Sequence, residues 1–153
     1  MVHPTYAKIL FRVPAEDGST IVETLWAEPV GEDLYCLDNS PFYAYGVSWR
    51  DVVLAPFDPA EKFACFSAIS RKSGNRTIRI RFDPPVAPGN SSDGMLQGLV
   101  GLGCSYEGAN PGYMAVNVPP EVDLEVVRGF LNHGNAQWEH ADPTHEELFP
   151  DEA

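Results

Sequence analysis

Three histidines near the C-terminus, His133, His140 and His145, are interleaved with Glu139, Asp142, Glu146 and Glu147. Imidazole nitrogens and carboxylate oxygens ligate metals, and the same groups pass protons. Their spacing argues against both uses. Intervals of seven and five residues match no zinc pattern, and HExxH is absent. The stretch reads as a solvated polar tail, and no metal is expected. Nucleophilic catalysis would need Ser or Cys beside a His base and an orienting acid. No GxSxG occurs, and Cys36, Cys65 and Cys104 lie in strand-like or helix-end apolar settings that predict buried, inert thiols. The run Gly98-Leu99-Val100-Gly101-Leu102-Gly103 lacks the GxGxxG order and follows a helical pattern, so helix packing and a C-cap explain its glycines. No carboxylate pair sits in an apolar setting that would raise its pKa. Asp38, beside Asn39, comes nearest, and an Asx-turn accounts for it. No catalytic residue and no cofactor are expected, and the chain reads as a non-enzyme.

The elements that would position these residues are mostly strands. Tyr6–Val13 is rich in aromatic and β-branched residues and ends at Pro14. Ile21–Val30 and Leu34–Asp38 follow, then Phe42–Tyr45 and Asp51–Leu54. The alternation within Ile21–Val30 does not sort cleanly into two faces. Phe63–Ser70 and Thr77–Phe82 are expected to form a hairpin across Ser73-Gly74-Asn75. Strict period-two alternation in the second of these predicts Ile78, Ile80 and Phe82 inward and the arginines outward. Pro84, Pro85, Pro88 and Gly89 mark a linker. A helix capped by Ser92 or Asp93 runs to Gly101, strands are expected at Cys104–Glu107 and Tyr113–Val118, and a second helix at Val122–Asn132. Ala136–Glu139 closes the set. The fold class is α+β. Residues 1–76 form a strand-rich lobe, a small twisted sheet or barrel. Residues 77–140 form a ferredoxin-like βαββαβ half, and 141–153 an acidic tail.

Charge is distributed unevenly along the 153 residues. The total is -12, with a sequence pI near 4.5. Residues 62–81 hold six basic residues and no acid, while Arg128 is the single base after residue 81. Such acidity argues against nucleic acid or an anionic membrane as partner. No apolar run reaches the roughly 18 residues of a membrane span, and the start does not read as a signal peptide. Three cysteines without a CxxC point to a reducing, cytoplasmic setting. The basic stretch reads as a hairpin whose exposed charges pair with carboxylates. Its functional alternative is an anion site built from Arg71, Lys72, Arg76, Arg79 and Arg81. Trp26, Tyr35, Phe42, Tyr43, Tyr45 and Trp49 are core candidates, and exposed members would form a ligand pocket or a binding hot spot.

Leu25-Trp26-Ala27-Glu28-Pro29, Tyr35-Cys36-Leu37-Asp38-Asn39-Ser40-Pro41-Phe42, Gly46-Val47-Ser48 with Asp51, and the later Gly103-Cys104 and Val118-Pro119-Pro120 recur in one pattern. This pattern resembles a bacterial domain family of unknown function, number 4265 in its series, across residues 6–140. The resemblance implies a bacterial, cytosolic non-enzyme and transfers no catalytic residue. Small acidic proteins of this kind are similar, by analogy, to the immunity partners of secreted bacterial toxins. The first expectation is therefore an immunity protein that occludes the active site of a basic toxin domain acting on nucleic acid or nucleotides. Trp138 would anchor the contact with Glu139, Asp142, Glu146 and Glu147, and Glu121, Asp123 and Glu125 would extend it. The alternative is a small-molecule-binding regulatory domain using the 71–81 arginines.

Overall fold

The computed structural model describes residues 5–134 and 136–152. The protein is mixed α+β, strand-rich, with few helices. Its first sheet is a curled half-barrel built from β1 (Ala7–Pro14), β2 (Thr20–Gly31), β3 (Leu34–Leu37), β4 (Val52–Leu54), β5 (Phe57–Asp58), β6 (Phe63–Cys65) and β7 (Ala68–Arg71). The strand order is β5-β6-β1-β2-β3-β4-β7. The second sheet holds β8 (Arg76–Arg81), β9 (Ser105–Asn110), β10 (Tyr113–Val118) and β11 (Gln137–Asp142), ordered β11-β8-β10-β9, and every neighbouring pair is antiparallel. Helix α1 (Ser91–Gly101) connects β8 to β9, and α2 (Leu124–Asn132) connects β10 to β11. A short helix α3 (His145–Leu148) and a 3-10 turn at Pro150–Glu152 follow. Among the described residues no helix is long and apolar enough to cross a membrane.

In the first sheet, β1 lies between β2, antiparallel, and β6, parallel. Ile9, Phe11 and Val13 alternate into a core shared with Leu25, Ala27, Leu37 and Val53. Burial sorts β2 more cleanly than its sequence does. Glu23, Leu25 and Ala27 face inward, whereas Val22, Thr24 and Trp26 face solvent. The misleading residue is Glu23, whose carboxylate is buried because it accepts hydrogen bonds from three backbone N–H groups, those of Phe42, Tyr43 and Ala44.

The second sheet is covered on both faces. Ile78, Ile80, Met114, Val116 and Val118 meet Leu96 and Leu99 of α1 and Val127 and Leu131 of α2. Thr77 and Arg79 of β8, buried on the other face, bond to the segment between β3 and β4. Both helices start with side-chain caps: Asn90 accepts from the Asp93 N–H, and Asp123 accepts from the Glu125 N–H. Gly103, at φ 108°, takes the left-handed conformation just after the α1 C-cap.

Three expectations are corrected. Phe42–Tyr45 is not a strand, because its N–H groups are taken by Glu23 rather than by a neighbouring strand. Residues 63–82 do not make one hairpin: β7 pairs with β4, while β8 pairs with β10 and β11 in the other sheet. The arginines of β8 do not all point outward, since Arg79 is 2% exposed.

Candidate functional site

Most of the basic stretch is used inside the molecule. Lys72 Nζ reaches Asp51 at 2.6 Å and also pairs with Asp142. Burial opposes its charge, but the hydrogen bonds to Asp142 and Asp51 prevail and raise its pKa. Arg76 donates to the carbonyls of Val118, Pro119 and Val122. Arg79 donates to Ala44 O at 2.7 Å and to Glu139 Oε1 at 3.1 Å, with its guanidinium 4.3 Å from the centre of the Tyr45 ring. Arg71 and Arg81 are exposed, but they end strands of different sheets. The five residues therefore do not converge on one anion.

The bonds of Lys72 and Arg79 converge on the segment between β3 and β4, residues 38–51, which holds the sheets together. Glu23 binds its backbone from β2, and Glu107 of β9 accepts from Asn39 Nδ2 at 2.8 Å and from the Ser40 N–H. Ser48 Oγ lies 2.7 Å from Thr77 Oγ1 and donates to Asp142 at 2.6 Å. Tyr113 donates its hydroxyl to Phe42 O at 2.6 Å, and the Gly46 N–H donates to Ala141 O. Asp38, for which a local Asx-turn was expected, instead accepts from Trp49 Nε1 across 11 positions, and Asn39 Oδ1 accepts from the Trp26 N–H of β2 across 13. Glu23, Ser48, Asp51, Thr77 and Glu107 were not foreseen as partners. Of these, Glu23 alone carried a local signal, as the single acid within residues 21–27.

Beside this junction opens a cleft of about 710 Å³, lined by Tyr45, Arg128, Asn132, Trp138, Glu139, His140, Thr144, His145 and Glu146. Three of the expected contact residues, Trp138, Glu139 and Glu146, meet here. Asp142 does not: it is 6% exposed and engaged by Ser48 and Lys72, because β11 extends to that residue. Glu147 is exposed and closes a capping box with Thr144 at the start of α3. That Thr-x-x-Glu spacing was legible in the sequence as a helix start within the expected tail. Glu121, Asp123 and Glu125 are exposed on and before α2, where Glu125 pairs with Arg128 at 3.0 Å.

His140 corrects the expectation of a solvated tail. It is 5% exposed, edge-on to Trp138 with ring centroids 4.9 Å apart, and 6.4 Å from Phe149. Burial pushes its pKa down to about 4, aided by the charges of Arg128 and His145 and opposed by Glu125. The unfolded chain takes up a proton near pH 6.5 that the folded protein refuses until about pH 4. His140 therefore costs stability progressively as pH falls from 6.5 to 4, by about 3 kcal/mol in total. Urea midpoints measured across that window should show the decline, and His140→Phe should flatten it. An unchanged slope in the variant would assign the decline to other groups.

Chemically the cleft can bind, orient and exchange protons. Among the described residues no three His, Cys, Asp or Glu side chains converge as a metal site. All three cysteines are free thiols, and burial raises the pKa of Cys36 and Cys104. Cys36 and Cys104 are buried and Cys65 is partly so.

The fold is found elsewhere. A solved structure described as a hypothetical protein from Neisseria gonorrhoeae is similar, with a TM-score of 0.76 over 92% of this chain and 97% of that chain. At 18% identity the likeness is one of fold alone. No curated protein matches the sequence. The family model described as a domain of unknown function, DUF4265, matches residues 23–141, which include the whole 38–51 junction. The chain belongs to that family.

Proposed function

We propose that this protein acts by binding rather than catalysis, as an immunity-type inhibitor that covers the basic active site of a toxin domain acting on nucleic acid or nucleotides. The observation that carries this reading is the inward use of Lys72, Arg76 and Arg79. Their charges serve internal contacts, and Arg128 is the one base after residue 81, so along that stretch the exposed acids Glu121, Asp123, Glu125, Glu146 and Glu147 are left largely unbalanced. Tyr45, 50% exposed, and half-buried Trp138 stand beside Glu139 as aromatic anchors. An acidic surface of this kind accelerates encounter with a basic cleft and disfavours other partners. The free thiols support a cytoplasmic setting for the inhibitor. The strand order of the second sheet, with α1 and α2 as its two crossovers, supports a ferredoxin-like reading of residues 77–140.

The product of the adjacent gene is the candidate toxin to test, by surface plasmon resonance and by co-expression in cells. Association should be at least tenfold slower at 0.5 M than at 0.05 M salt. The double variant Glu121→Lys with Glu146→Lys should slow it several-fold further at low salt while dissociation changes little. Absence of binding at micromolar concentration, together with no protection of cells, would overturn the proposal.

A further inference from the structure

We propose that the cleft between α2, β11 and α3 is a binding site for a small oxyanion-bearing molecule, whose oxygen is held by Arg128 Nε and His140 Nε2. Buried polar atoms in folded proteins nearly always have partners. Among the described residues three buried side-chain atoms have none: Asn117 Oδ1, Arg128 Nε and His140 Nε2. Two of the three belong to residues lining this one cleft.

Their chemistry agrees. An arginine Nε can only donate, and a histidine Nε2 donates whenever it carries the proton. The Arg128 guanidinium has one nitrogen, Nη1, committed to Glu125 at 3.0 Å, which leaves the Nε edge for a ligand. Both groups are held in place beforehand. The Arg128 guanidinium lies 4.4 Å from the centre of the Phe149 ring, and His140 is wedged between Trp138 and Phe149. His145, 5.0 Å from the same Phe149 ring, adds a third group able to carry positive charge. Glu125 is the carboxylate on Arg128 itself and the one whose charge reaches His140. Of the acids lining the cleft, Glu139 is countered by Arg79 at 3.1 Å and Glu146 is exposed. Trp138 and Tyr45 offer ring surface for an apolar or aromatic body. The volume, about 710 Å³, suits a small molecule rather than a bare ion.

An oxyanion next to His140 favours the imidazolium, so binding takes up a proton and tightens as pH falls. The test uses the full chain with benzoate and inorganic phosphate as probes, followed by calorimetry and by imidazole NMR signals of His140. Expected are saturable binding of at least one probe and an upward shift of the His140 titration midpoint from about 4. Affinity should rise several-fold between pH 7.5 and 5.5. His140→Phe keeps the ring packing and should weaken binding at least tenfold, as should Arg128→Gln. Glu16→Gln, exposed and outside the cleft, should bind as the parent does. Saturation by benzoate alone assigns a carboxylate ligand, and by phosphate alone a phosphorylated one; saturation by both assigns an oxyanion site tolerant of either. Binding that survives in both His140→Phe and Arg128→Gln overturns the proposal, as does the absence of saturation by either probe. The latter leaves the two nitrogens to water. Because the isolated chain is measured, that failure would not bear on toxin binding.

Discussion

Arg79→Ala is expected to lower the urea unfolding midpoint more than alanine at any other basic position. The side chain is 1% exposed and bonds to Ala44 O, Pro41 O and Glu139 while lying over Tyr45. Truncation removes its long stem from a packed interior and strands two carbonyls that belong to the junction. Removing one partner from a buried charged network costs about 3–5 kcal/mol. For a chain of this length the melting temperature should fall on the order of 10 °C. Arg79→Lys restores a charge but not the planar fork that reaches a carbonyl and a carboxylate together, so it should fall between the two. Glu139→Gln should cost less, since Glu139 is 46% exposed and its replacement still accepts a hydrogen bond. A parent-like midpoint for Arg79→Ala would show that the buried guanidinium is replaceable by packing adjustment.

Asp51→Ala should cost a comparable amount for a different reason. Asp51 is fully buried and accepts from the Ser48 N–H at 2.8 Å, the Ser73 N–H at 2.7 Å and Lys72 Nζ at 2.6 Å. Alanine leaves two backbone donors without a partner and leaves Lys72 with Asp142 and the Gly46 carbonyl. The two orphaned donors and the broken ion pair together suggest a loss of about 3–5 kcal/mol. Asp51→Asn keeps one acceptor oxygen and turns an NH2 toward a donor, so it should recover no more than half. Because Asp51 ties the 38–51 segment to the turn before β8, its loss should also lower the denaturant dependence if the two sheets begin to unfold separately. A midpoint within error of the parent would place the binding strength of the junction elsewhere, in Glu23 or Glu107.

These two residues also mark where the sequence was legible and where it was not. Strands with plain alternation, such as β1 and β10, were located to within one residue, as was the Leu124–Asn132 helix at its C-terminal end. Period-two patterning reports which positions share a face, but not whether the second face is also covered. β8 alternates Ile with Arg, which describes a half-exposed strand equally well, and only the tertiary placement of residues 38–51 buries Arg79. The basic run likewise looked like a surface feature, because pairing of Lys72 with Asp142 spans 70 positions and leaves no local trace. Of the site, Trp138, Glu139 and Glu146 were found from composition near the C-terminus. Tyr45 was marked only as an aromatic that would serve a pocket if exposed, and Arg128 and His140 were not marked as site residues, because the three come together only when α2, β11 and the junction are assembled.

Tyr45 gives the junction a second consequence. It is carried by the segment that joins the sheets, yet it forms one wall of the cleft whose other walls come from α2, β11 and α3. Its hydroxyl donates to Glu139 across that boundary, at 2.9 and 3.0 Å. The cleft is thus a caliper, with one jaw on each side of the seam. Any small rotation of one sheet against the other changes its aperture. Whatever grips both jaws should slow amide exchange along residues 38–51, well away from the atoms it touches.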